Sequence, residues 1–304
     1  MNSTSNNLIT IPSPEKYALL VTSSVQILFG FISNAVVIAT ITLGQKYNKT
    51  PSDIMVLNLG YADLLPCLAF LPWLTFQLVQ GWHHSEYFFC ALYLFVIQCS
   101  ENAVLAVTID RYIAICYPLR YRSIMSPKKI FIFIFMTWGY GFINGIAFLV
   151  SESHAFENPI LLAHSIIDFV VMAVIFMMYG VIFRYVNRQT RQINLGDFSQ
   201  SDMRRKRLRK VLLLVKSAKK SFTIAFLYLV TFLPIPIYCI VLKLYFGCEV
   251  EEDIDCMISF ETWFRRLNCF TFLNSCINPI IYSFKNTRFR GMFLKMFNSL
   301  RQDG

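Results

Sequence analysis

Seven stretches of the chain are apolar over a length that spans a bilayer: residues 17–43, 53–79, 88–115, 130–150, 160–185, 222–245 and 260–284. A hydrocarbon core roughly 30 Å thick takes about 20 mostly apolar residues per helix. Ten-residue alternating segments separated by turns, the mark of a membrane β-barrel, are absent. The pattern predicts an all-α chain in three parts: an extracellular N-terminus at 1–16, a seven-transmembrane helix bundle over 17–284, and a short amphipathic eighth helix with the tail at 285–304. In that last part Phe289, Met292, Phe293, Met296 and Phe297 share one helical face, with Arg and Lys opposite, as in a helix lying on the inner membrane surface.

Composition agrees with a membrane protein. Of 304 residues, 56% are hydrophobic and only 15% charged, too apolar for an ordinary soluble domain. A net charge of +10 would suit a nucleic-acid partner, but the distribution of the bases says otherwise. With the loop after Arg111 inside, 24 of the 28 Lys and Arg lie on the cytoplasmic side, leaving Lys16, Lys243, Arg265 and Arg266 outside. This is the positive-inside pattern, and an odd number of spans puts the N-terminus outside and the C-terminus in the cytoplasm. The expected partner is the bilayer of the plasma membrane and not nucleic acid. Residues 1–15 carry no basic and apolar leader pattern, so the first span is expected to direct insertion. The sequon Asn2-Ser3-Thr4 then faces the lumen and makes Asn2 a glycan acceptor.

Polar residues inside the apolar runs carry the chemistry. Asp63 lies about ten residues into the second span, and Ser100 and Glu101 at mid-depth in the third. A carboxylate at such depth is costly and marks function. The third span ends in Asp110-Arg111-Tyr112, the sixth carries Phe232-Leu233-Pro234, and the seventh reads Asn274-Ser275-Cys276-Ile277-Asn278-Pro279-Ile280-Ile281-Tyr282. Each proline removes a helical hydrogen bond and permits a kink.

Together with Asn34, Trp138, Tyr179 and Phe289, these motifs resemble the rhodopsin-like G-protein-coupled receptors through all seven spans in order. The resemblance implies a receptor and no enzyme: an extracellular ligand is transduced into activation of a heterotrimeric G protein. It implies that Asp63, Ser100, Asn274 and Asn278 hold a sodium ion in the resting state, a water-filled polar cluster being the alternative; no other cofactor is implied. It implies that Asp110 holds Arg111 when inactive, and that Arg111 moves toward Tyr179 and Tyr282 when the sixth helix swings out. The switch set is then Asp110, Arg111, Tyr112, Tyr179, Asn278, Pro279, Tyr282, Phe232 and Pro234. The family's core switch cluster becomes Val171, Glu101 and Tyr228 here, with Tyr228 the expected partner of Glu101. No acid stands near Leu214 to latch Arg111 to the sixth helix, so appreciable ligand-independent signalling is expected.

By the same likeness the ligand site is lined by Tyr93, Ile97, His164, Asp168, Phe232, Ile235, Cys239, Asn268 and Phe272, with Trp73 behind. Mostly apolar walls suit a small, largely apolar ligand, odorant-like, lipid-like or other. Tyr93 stands where amine receptors place their aspartate, which disfavours a monoamine. Asp168 is open to two readings, a cation anchor or a hydrogen-bonded side chain. The second outer loop, 151–158, is short and lacks a cysteine, as in the melanocortin, lysophospholipid and cannabinoid receptors. Residues 118–125 look more like an odorant receptor, so a chemosensory role is the alternative. Cys248 and Cys256 bracket an acidic loop and are expected to bridge in an oxidising outer compartment, two free thiols being the alternative. An intramembrane protease would need a partner for Asp63 that the sequence lacks, and a transporter usually shows inverted repeats, which are not found.

Overall fold

A computed structural model describes residues 13–43, 49–80, 87–151, 159–195, 201–245, 254–285 and 287–302, and these are helical apart from short connections. Helix α1 is Ser13–Leu43; the second span is α2 (Pro51–Leu65), one wide π turn (Pro66–Phe70) and α3 (Leu71–Gln80). The third is α4 (Tyr87–Cys116), followed by the single turn α5 (Tyr121–Ile124), then α6 (Pro127–Val150) and α7 (Pro159–Leu195). The sixth span is α8 (Ser201–Phe232) with α9 (Pro234–Tyr245), the seventh α10 (Ile254–Thr271) with α11 (Leu273–Lys285), and α12 is Thr287–Gln302. Asn2, Cys248 and the outer loop at 152–158 lie outside the described residues, as does the side chain of Cys256.

Among the described residues six helices are long and apolar enough to cross a membrane. The seventh, α10 with α11, carries Arg265, Asn268, Asn274 and Asn278 on buried positions and is therefore less apolar than its role. The bundle is polar inside and apolar outside. Gln26, Asn34, Asp63, Glu101 and Asn278 are buried, whereas Val25, Ile32, Phe135, Phe142 and Ile143 stand exposed, as side chains facing hydrocarbon do. Helix α4 runs through the centre with 78% of its span buried, against 17% for the peripheral α6.

Glycine lets α6 approach α4. A Cβ at Gly145 would stand 3.0 Å from the Ala91 carbonyl oxygen, and one at Gly141 would stand 3.4 Å from that of Phe95. Small residues one turn apart bring two membrane helices into backbone contact. Proline sets the other irregularities. Pro66 cannot donate, and the chain widens there into the π turn, closed by the Leu71 amide on the Pro66 carbonyl. Pro234 parts α8 from α9, and beside the break the Thr271 hydroxyl of α10 donates to the Thr231 carbonyl at 3.0 Å.

Phe289 and Met292 are buried and α12 packs on α1, while Phe293, Leu294 and Phe297 are exposed.

Candidate functional site

At the inner end, Asp110 is buried and accepts from three directions. The Arg111 guanidinium donates to Asp110 Oδ2 through Nε at 2.9 Å, and its Nη2 contacts both that oxygen and Ser52 Oγ. Ser52 Oγ donates to the same Asp110 oxygen at 2.9 Å, and the Tyr121 hydroxyl donates to Oδ1 at 2.7 Å. Local sequence places these partners. Thr50 caps α2 in a reciprocal capping box with Asp53, which starts the helix so that Ser52 faces α4. Tyr121 opens α5, where burial and the Asp110 carboxylate raise its phenol well above the ordinary range, so it remains a donor. Ser52 and Tyr121 were not singled out by the sequence; nothing in a lone serine at the second helical position signals a partner 58 residues away.

Tyr112 and Tyr179 lie apart from this network. Tyr112 turns away and packs edge-on against Tyr117 at 5.8 Å. Tyr179 is buried against Phe222 at 5.6 Å, its hydroxyl beside Thr108 and Ser221 without a well-formed hydrogen bond. Tyr282 lies within α11, and its side chain is outside the described residues.

One layer outward, Asp63 accepts from Asn278 Nδ2 at 2.8 Å, and from Ser100 and Ser275 hydroxyls at 3.2 Å. Ser275 joins the set that the sequence reading had drawn from Asp63, Ser100, Asn274 and Asn278. Asn274 is fully buried, but neither its amide nitrogen nor its oxygen has a hydrogen-bond partner. Asn34 ties α1 to α11 through the Ser275 carbonyl at 2.9 Å, and Trp138 Nε1 donates to Asn58 at 2.9 Å. Pro279 lies inside α11 one residue beyond Asn278.

The sixth-helix switch and the outer site share a layer. The Tyr228 hydroxyl donates to Glu101 Oε1 at 2.8 Å, and its ring stacks on Phe232 at 4.3 Å, below the break at Pro234. His164 Nδ1 lies 2.8 Å from Asp168 Oδ2, an intrahelical contact one turn along α7. Tyr93 packs on Phe70 at 5.3 Å and Phe264 at 5.1 Å; Phe70 in turn meets Phe272 at 5.1 Å and Trp73 at 5.6 Å. Ile97, Ile235, Cys239 and Asn268 are buried around them. Phe70 and Phe264 are members of this aromatic layer that sequence reasoning missed. Phe70 arrives there because the π turn adds a residue to the second span, which a regular periodicity does not anticipate.

The comparisons with known proteins bear on the same residues. The sequence pattern of the 7 transmembrane receptor (rhodopsin family) matches residues 33–282. The chain belongs to that family. Among its relatives, the receptor is 22% identical to galanin receptor 2b of Danio rerio over 95% of its own length and 77% of that protein's. It is 27% identical to the thyrotropin-releasing hormone receptor of Gallus gallus, covering 88% of this chain and 75% of the relative. Against the D(1) dopamine receptor of Carassius auratus the identity is 25%, over 89% of this chain and 85% of the relative. Family membership makes the receptor a multi-pass membrane protein of the G-protein-coupled class. Among its described residues Cys67, Cys99, Cys116, Cys239, Cys269 and Cys276 are not in disulfides.

Proposed function

We propose that the receptor sits in the plasma membrane with its N-terminus outside and couples an extracellular ligand to activation of a heterotrimeric G protein. The carrying observation is the closed arrangement at the inner end: Arg111 bound to Asp110 and Ser52, with Tyr121 sealing the second Asp110 oxygen. Opening requires those bonds to break, and a ligand drives it by binding the open form better than the closed one. The aromatic layer of Phe70, Tyr93, Phe264 and Phe272 supports a small and largely apolar ligand. Relatives named for galanin, thyrotropin-releasing hormone and dopamine support a second reading, a peptide or amine. Tyr93 in place of an acid argues against the amine.

The donor set around Asp63 fits a sodium ion: one carboxylate, the Ser100 and Ser275 hydroxyls, and the orphaned buried amide oxygens of Asn274 and Asn278 are all hard oxygen ligands. These five residues would hold it, and the ion would supply charge balance to a carboxylate whose hydrogen-bond partners among the described residues are all neutral.

The test compares G-protein activation by the unliganded chain with Arg111→Ala at equal surface expression. Basal activation that falls to the level of mock-transfected cells in the variant supports the reading. Activity unchanged by the substitution counts against it.

A further inference from the structure

The outer halves of the helices close a ring around the aromatic layer. Helix α4 packs on α7, α7 on α9, α9 on α10 and α10 on α1, and the second span joins α1 to α4. The buried apolar residues of α9, Ile235, Cys239 and Leu242, form a small cluster with Phe264 and Leu267 of α10, separate from the main core. A seam therefore runs between α9 and α10 on one side and α4 on the other. The contact of Phe264 with Tyr93, at 5.1 Å, bridges it.

The polar groups at the two ends of this seam are short of donors. At the α10 end Asn268 is fully buried, and its Nδ2 donates to the Phe264 carbonyl at 2.8 Å. A carbonyl only accepts, so the amide orientation is fixed, and Asn268 Oδ1, which has no partner, is a bare acceptor. At the α7 end, Asp168 Oδ2 is taken by His164 Nδ1, while Asp168 Oδ1 and His164 Nε2 have no partner. In the tautomer that donates from Nδ1 to the carboxylate, Nε2 is a lone-pair acceptor too. Both residues are more than nine-tenths buried. Glu101 accepts at both of its oxygens, from the Tyr228 hydroxyl and the Gln98 amide, and makes no well-formed bond to Asp168. Arg265, one turn outward on α10, reaches neither Asn268 Oδ1 nor Asp168 Oδ1. A bare acceptor at membrane depth is costly, and three along one seam mark a place where donors arrive from outside the chain.

We infer that the outer site takes a compact ligand whose apolar body carries a hydrogen-bond donor at each end, an O–H or N–H group. One donor serves His164 and Asp168, the other serves Asn268, and the body fills the seam against Tyr93 and Phe264. Ligands that end in acceptors alone, such as carboxylates, esters and ethers, set lone pair against lone pair and are rejected. An alcohol or an amide N–H compound therefore suits the site, and an acidic lipid does not. The inference rests on the receptor reading above and names the class of ligand that its site admits.

The test is binding of cyclohexanedimethanol to the full chain in lipid nanodiscs, read by saturation-transfer NMR against empty nanodiscs. The diol binds saturably and roughly three- to tenfold more tightly than cyclohexylmethanol, which keeps the ring and one hydroxyl, the ratio expected for one hydrogen bond to a buried acceptor. A purely apolar site ranks them the other way, since the mono-alcohol is the less polar. Cyclohexanecarboxylate, the same ring with an acceptor-only head, does not compete. Asn268→Leu, similar in size and without the acceptor, brings the diol down to the level of the mono-alcohol, and Asp168→Ala does the same from the other end. Thermal unfolding without any probe reads the acceptor itself: Asn268→Leu melts higher than the wild type, because a bare buried oxygen is gone. Equal affinities, a tighter mono-alcohol, competition by the carboxylate, a diol that does not saturate, or a lower melting temperature in Asn268→Leu overturns the proposal. Binding is read without a G protein, so a chain that ranks the probes as stated yet never activates one keeps the site and fails as a receptor.

Discussion

At the scale of single residues, Gly30 is where the bundle has least space. A Cβ there would lie 2.5 Å from Cys67 Sγ and 3.3 Å from Cys276 Sγ, at the meeting of α1, the π turn and α11. Gly30→Ala is expected to lower stability by about 1–3 kcal/mol through overpacking. Adding Cys67→Ala removes the nearer sulfur and restores most of the loss, and thermal unfolding of the two variants in nanodiscs checks both. A double variant no more stable than Gly30→Ala would show that the sulfur is not the obstacle. Much of the residue-level chemistry was legible in the sequence, because a buried charge announces itself: Asp63, Glu101 and Asp110-Arg111 stand out in apolar runs. Their partners were less so. Ser275 also donates to Asp63, and the sequence reading had not named it among the residues around that carboxylate. One position along a helix is a rotation of about 100°, and the break between α10 and α11 at Phe272 resets the angular register that a continuous helix would have kept.

At the scale of elements, starts and breaks follow from capping and proline. Thr50 satisfies the Asp53 amide while Asp53 Oδ2 accepts from the Thr50 amide and hydroxyl. Thr50→Ala is expected to cost about 1 kcal/mol of stability. Because this cap also sets Ser52 against Asp110 and Arg111, the substitution should raise basal G-protein activation as well. A stability loss with unchanged basal output would separate the cap from the switch. Elements were legible in existence and order, and their ends were not. The apolar run of the fifth span stops near residue 185, but α7 continues to Leu195, since a polar helix leaving the membrane keeps its hydrogen bonds without needing an apolar sequence. The π turn had a visible cause in Pro66 and no visible form.

At the scale of the molecule, the seven-span topology was legible because the bilayer demands continuous apolar length. Which face of each span turns inward was not, since apolar residues cover both lipid-facing and core-facing sides. The outer closure illustrates this. Arg266 on α10 donates to both Glu15 oxygens, at 2.6 and 2.8 Å, and lies 4.7 Å over the Trp263 ring, joining the start of α1 to the outer end of the seventh span. The Arg266 side chain is 38% exposed, so solvent screens the pair and Arg266→Ala is expected to cost less than about 1 kcal/mol. Thermal unfolding at low and high salt checks this: the wild-type advantage shrinks as salt rises, and a loss of several kcal/mol would mark a buried bond.

The break at Leu233 makes the sixth span a lever of unequal arms. Helix α8 has 32 residues and is about 48 Å long, whereas Tyr228 lies only five residues, about 7.5 Å, from the fulcrum. A shift of about 1 Å at Tyr228 therefore becomes about 6 Å at the inner end, close to one turn of helix. Force is traded for travel at the same ratio. A single hydrogen bond near the fulcrum opposes the swing poorly, and the ring contacts of Phe222 with Tyr179 and Phe183 of α7, farther along α8, are better placed to hold it still.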